Sequence, residues 1–275
     1  IMSYVSGFSK NDRAYQIGDG SEPVISILPI IMEKYPDLCN SIKDILLKML
    51  LHENSITVFV KRSIQDRLWD ISPDDARSVL IAYAIIDDGY EKYRRSEDEK
   101  RLLNHSYSSS YVSIDEFWDT STELNSRFEK NELTFTDIDV EGCNHRTLIS
   151  TIELLPIKID DDNLKTYFVS AIRALAKRFY DDRDSDDHTH IPRLVDKICP
   201  MILFAERQDA LSYITPFIEH FQFSANSYQL FSQLITVEDR YPHYENFWYI
   251  WDQFFEKISD LSGNIDRNRD ARETI

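Results

Sequence analysis

Six glycines in 275 residues set the first limit on what this chain can fold into. They are Gly7, Gly18, Gly20, Gly89, Gly142 and Gly263, so residues 21 to 262 hold two of them. Tight hairpin turns between strands and phosphate-cradling loops lean on glycine, because they need positive φ or a close approach of backbone to its surroundings. Helices joined by short polar connections do not. Apolar residues also recur at three- and four-residue spacing, the period of a helix with one buried face. The expectation is an all-α chain, an irregular α-solenoid of antiparallel helical hairpins.

Residues 1–22 carry three of the glycines and little periodicity, and read as an arm or loop. From Pro23 the pattern turns helical through Val24, Ile27, Leu28, Ile31 and Met32, with Pro29 marking a kink or the first turn. Pro36-Asp37 closes this helix. The next carries Leu38, Ile42, Ile45, Leu46, Met49 and Leu50 on one stripe. Asn54 or Ser55 caps a third, with Ile56, Phe59, Val60, Ile64 and Leu68 inward. Ser72-Pro73-Asp74-Asp75 is a start signal. The serine can accept from a free amide, the proline fits the first helical position, and carboxylates suit the positive end of the helix dipole. The helix it opens is predicted to reach Tyr93.

Residues 94–112 are polar and serine-rich. The segment 96–112 is expected to be a loop separating two helical segments, 23–95 and 113–261. Ser113 and Glu116 have capping-box spacing and open a helix through Phe117, Trp118, Leu124 and Phe128. Leu133, Phe135, Ile138 and Val140 partly alternate, which allows a short extended piece within 131–143. Further helices are predicted at 148–155, 164–179, 194–206, 211–221, 228–237 and 244–261, with bends near Pro200 and Pro216. The tail, 262–275, is polar.

The formal charge is −17, from 48 acidic and 31 basic residues. Such a surface repels phosphate backbones, whose non-specific binding needs Lys and Arg to release counterions. Nucleic acid and anionic membranes are therefore disfavoured, and a protein with a basic patch is favoured. No apolar run reaches the roughly 18 residues of a membrane helix. Cys39, Cys143 and Cys199 are isolated, which suits neither a disulfide framework nor a zinc site. They read as buried small residues in a reducing compartment, so the chain is expected to be cytoplasmic. The start at Ile1-Met2-Ser3 shows no signal pattern and suggests a fragment of a longer chain.

Three constellations could carry chemistry. Asp181, Asp182, Asp184, Asp186, Asp187, His188 and His190 could ligate a divalent metal, but as a calcium loop they fail. From Asp182 the sixth position is Asp187 where glycine is wanted, and the twelfth is Arg193 where glutamate is wanted. A solvated loop is the expectation there. Asp87-Asp88-Gly89-Tyr90-Glu91 resembles the aspartate-rich motif with which class I terpene synthases hold magnesium and diphosphate. The second metal motif of that family is absent, and an exposed helix end is expected instead. Cys143-Asn144-His145 places a thiol near an imidazole, yet triads are made by folded geometry and not by adjacency. No nucleophile elbow, zinc-protease helix, Walker A loop or dinucleotide fingerprint is present. The sequence therefore predicts no catalytic residue, no cofactor and no metal.

The last helix carries Phe247, Trp248, Trp251, Phe254 and Phe255. Their spacing suits a helix facing a core. The alternative is a partner-binding face of Trp248, Trp251 and Phe255 rimmed by Tyr244 and Tyr249, since aromatics are enriched at interfaces. Residues Asn54 to Ala76, with Val58, Leu68, Trp69, Asp70 and then Ser72-Pro73-Asp74-Asp75-Ala76, resemble a unit of the degenerate helical repeats in the C-terminal half of large bacterial STAND-type NTPases. That resemblance implies a sensor region that recognises a target protein. The expected function is protein recognition or scaffolding. Its rival is an all-α metal-dependent enzyme using the acids at Asp87 or Asp181.

Overall fold

The computed structural model describes residues 27–51, 58–104, 111–181, 191–220 and 252. It is all-helical there: ten α-helices, and no strand among the described residues. The helices are α1 Leu28–Lys34, α2 Cys39–Leu51, α3 Val58–Ile71, α4 Pro73–Asn104, α5 Ile114–Thr120, α6 Thr122–Glu129, α7 His145–Glu153, α8 Asp162–Asp181, α9 Ile191–Phe204 and α10 Arg207–His220. Short 3₁₀ turns lie at Pro36–Leu38 and Phe135–Asp137. None of these helices is long and apolar enough to cross a membrane. The arm 1–22, the helix expected at 228–237, that expected at 244–261 apart from Asp252, and the tail lie outside the described residues.

The chain forms two compact units, Ile1–Thr147 with Leu154–Pro156 and Leu148–Glu153 with Ile157–Ile275. The division falls around α7, not in the polar segment 96–112. In the first unit α4 is the hub, with α2, α3, α5 and α6 packed along it. Every residue from Val79 to Ala84 on it is buried. A helix apolar on all sides has to be covered on all sides, and each large side chain so covered contributes about 2 kcal/mol. Ile42, Leu46, Leu47 and Leu50 of α2 and Ile64 and Leu68 of α3 do part of that covering. In the second unit Asp161 caps α8 by accepting from the Leu164 amide at 2.8 Å. Phe168 of α8 meets Tyr213 of α10 edge to face with centroids 4.7 Å apart, and Lys165 pairs with Asp209 at 2.8 Å. Pro200 and Pro216 lie inside α9 and α10.

Helix α4 does not stop at Tyr93. It runs to Asn104, so residues 96–104 are helix where a loop was expected. Residues 105–110 lie outside the described set. The extension has no apolar stripe, and Leu102 and Leu103 are exposed. Charge holds it instead: Glu91–Arg94, Glu97–Lys100 and Asp98–Arg101 pair at i,i+3. In each pair the acid precedes the base, the orientation that suits the helix dipole. The returning chain lies along this stretch. Tyr111 donates to Asp98 and sits under Arg94 and Arg101, while Tyr90 donates to Val112 O at 3.0 Å.

Other starts and stops differ in detail. Pro29 occupies the first turn of α1. Ser113 accepts from the Glu116 amide and opens α5. The single helix expected through Phe128 is broken at Ser121, whose hydroxyl donates to Phe117 O at 2.9 Å. The Ser72 hydroxyl is directed at the Asp75 carboxylate, 2.5 Å away. Residues 131–143 form turns rather than an extended piece. Leu133, Phe135 and Ile138 are nonetheless buried. At Gly142 a Cβ would fall 2.1 Å from Asp139 Oδ2, so the exposed Asp139 carboxylate would have to move aside.

Gly89 is different. It lies inside α4 without positive φ, and a Cβ would meet only the Phe117 ring at 3.5 Å, an ordinary contact. Gly89→Ala is therefore expected to stabilise the chain by about 0.5–1 kcal/mol through helix propensity, read as a higher midpoint in urea unfolding.

Candidate functional site

The aspartate pair that resembles a metal-binding motif sits in the middle of α4 and not at an exposed helix end. Successive helical residues point about 100° apart, so the two acids serve different neighbours. Asp88 is buried. It accepts the Asn144 amide at 2.7 Å and pairs with Lys92 at 2.7 Å. Its hydrogen bond holds the Lys92 ammonium above the ordinary lysine value. Asp87 accepts from the Thr147 hydroxyl at 2.5 Å. Glu91 pairs with Arg94. The pair thus fastens the turn before α7 to α4. Asn144 also starts α7, its side chain accepting from the Arg146 amide at 2.9 Å.

Cys143 is buried and His145 is the first residue of α7. No group of three His, Cys, Asp or Glu suited to a metal occurs among the described residues. The acidic stretch beyond Asp181, and Trp248, Trp251, Phe255, Tyr244 and Tyr249, lie outside them.

The polar centre of the first unit is elsewhere. Lys43 of α2 is fully buried. Its ammonium donates to Phe128 O at 2.9 Å and Asn131 Oδ1 at 2.6 Å, and lies 3.4 Å from Asp75 Oδ1. Two of its N–H groups are thus hydrogen-bonded, and the Asp75 carboxylate lies beside the charge as its ion-pair partner. These partners come from the ends of two other helices. Asp75 is in the first turn of α4. Phe128 and Asn131 belong to the C-terminus of α6, where Asn131 adopts φ 56°. The Asn131 amide bonds Phe128 O and the Glu132 amide bonds Arg127 O, the paired closure by which a left-handed residue ends a helix. Phe128 O takes a further bond from Ser78 at 3.1 Å, and Asn131 Nδ2 donates to Asp75 Oδ1 at 2.9 Å.

Burial disfavours the Asp75 charge. Hydrogen bonds from Ser72 and Asn131 and the Lys43 charge outweigh it and hold the carboxyl below its ordinary range. The same surroundings act oppositely on Cys39, which is half-buried and not buried as expected. It starts α2 with Sγ 3.4 Å from Asp75. Burial, then the Asp75 charge, push its thiol up to about 11, leaving little thiolate at neutral pH.

Over this centre lies an open pocket of about 490 Å³. Helix α2 contributes Asn40, Ser41, Asp44 and Lys48; α5 contributes Trp118 and Asp119; α6 contributes Asn125, Phe128 and Glu129. The buried Trp118 indole donates to Asp44 Oδ1 at 2.8 Å and packs edge to face on Phe128. Lys48 bridges Asp119 at 3.0 Å and Asp44 at 3.2 Å. Partial burial works against the Lys48 charge, but Asp119 and Asp44 more than offset it and hold the ammonium above its usual value. Asn125 donates to Trp118 O, while its Oδ1 is buried without a hydrogen-bond partner.

Sequence reasoning missed both features. The signal for the first was present: Lys43 sits on the buried stripe of α2, flanked by Ile42, Leu46 and Leu47. The pocket had none, because it joins residues about 80 positions apart by helix packing that no local pattern encodes. Comparison with protein-family models and with curated proteins returned no match.

Two outcomes follow from the buried centre. Lys43→Met strands Asp75 and two acceptors, and should cost about 3 kcal/mol. Asp75→Asn should cost less in that background than alone, read by a double-mutant cycle of urea unfolding. For acid, Asp75 is ionised in both states above the ordinary aspartate value of 3.8, so its stabilisation is complete there. As pH falls below that value the unfolded chain takes up its proton first. The contribution therefore shrinks and is gone once the folded carboxyl is protonated. Asp75→Asn should flatten the fall of unfolding free energy below about pH 4.

Proposed function

We propose that this chain is a protein-recognition or scaffold module, the sensor part of a larger multidomain protein, built from stacked helical hairpins. The observation that carries the reading is how the polar groups are distributed. Asp87 and Asp88, one of the two acidic clusters that a metal-dependent enzyme could use, are engaged by Asn144, Thr147 and Lys92. The surface pocket, by contrast, is lined by the carboxylates of Asp44, Asp119 and Glu129 against the ammonium of Lys48. An acidic chain of charge −17 suits a partner with a basic patch, drawn in electrostatically.

The packing pattern supports the hairpin architecture. Principal contacts join each helix to its next or next-but-one neighbour: α1 to α2 and α3, α2 and α3 to α4, α4 to α5 and α6 in the first unit, and α10 to α8 and α9 in the second. Stacked hairpins share that pattern, since each repeat touches its neighbours in sequence. The α3–α4 pair, joined at Ser72, covers most of the stretch that resembles a STAND-type sensor repeat.

Chemical cross-linking with the intact chain as bait in an extract of its own cell should return one dominant protein bearing a basic patch. Its recovery should fall as salt rises, because exposed charges are screened. Magnesium, manganese or zinc should leave the melting temperature unchanged. A metal ion at a hundred times its Kd would instead add about 2.7 kcal/mol. Such a shift, with no protein captured, would replace this reading by that of a metal-dependent enzyme.

A further inference from the structure

We draw no further inference here: the strongest candidate, the apolar surface patch of Leu102 and Leu103 on the last turn of α4, 76% and 81% exposed, carries nothing because nothing in the structure shows what covers it.

Discussion

A fully buried ammonium is tolerable only when acceptors and an opposite charge are brought to it, and the first unit is arranged around supplying both to Lys43. Removing an ammonium from water costs several kcal/mol, which a poorly placed partner does not return. Here Phe128 O and Asn131 Oδ1 accept from it, and the Asp75 carboxylate supplies the opposite charge. Helix ends are a natural source, because the last carbonyls of a helix and the first amides have no partner within it. The C-terminus of α6, the negative end of its dipole, faces the cation. Asp75 stands at the positive end of α4. One lysine thus fixes the end of one helix, the start of another and the face of a third.

Much of the first unit follows from that junction. The left-handed turn at Asn131 is held from both sides, since its side chain accepts from Lys43 and donates to Asp75. Holding that turn directs the chain into residues 132–144, where Leu133, Phe135 and Ile138 become buried. The Asp87–Asp88 pair then fastens the far end of the same connection. The pocket rests on this frame. Phe128 is shared between the two, its carbonyl bonded to Lys43 and its ring packed on Trp118. A surface built on a rigid base loses less entropy on binding, which suits the recognition role proposed for it.

Whatever rested on local rules was legible in the sequence. Scarce glycine and three-four spacing gave the all-helical class, and Ser113 with Glu116 opened α5 as the capping rule requires. The reading failed where tertiary structure or charge replaced apolar periodicity. The second half of α4 has no apolar stripe, so residues 96–104 looked like a loop, yet the helix runs to Asn104 with Glu97–Lys100 and Asp98–Arg101 paired at i,i+3. Because that helix continues, Asp87 and Asp88 fall in its middle and are spent on Asn144 and Thr147. Lys43 was readable in principle: a charge on a buried stripe demands partners. Their identity was not, since Asn131 lies 88 residues away.

Native-state hydrogen exchange tests the central claim most directly. If Lys43 binds α2, α4 and the end of α6 into one cooperative unit, the amides of Asn131 and Glu132 should exchange only on global opening, with the same free energy as Val79 to Ala82. Exchange of Asn131 and Glu132 through a low-energy local opening, while Val79 to Ala82 stay protected, would show that the end of α6 frays independently and that the buried lysine does not organise the unit.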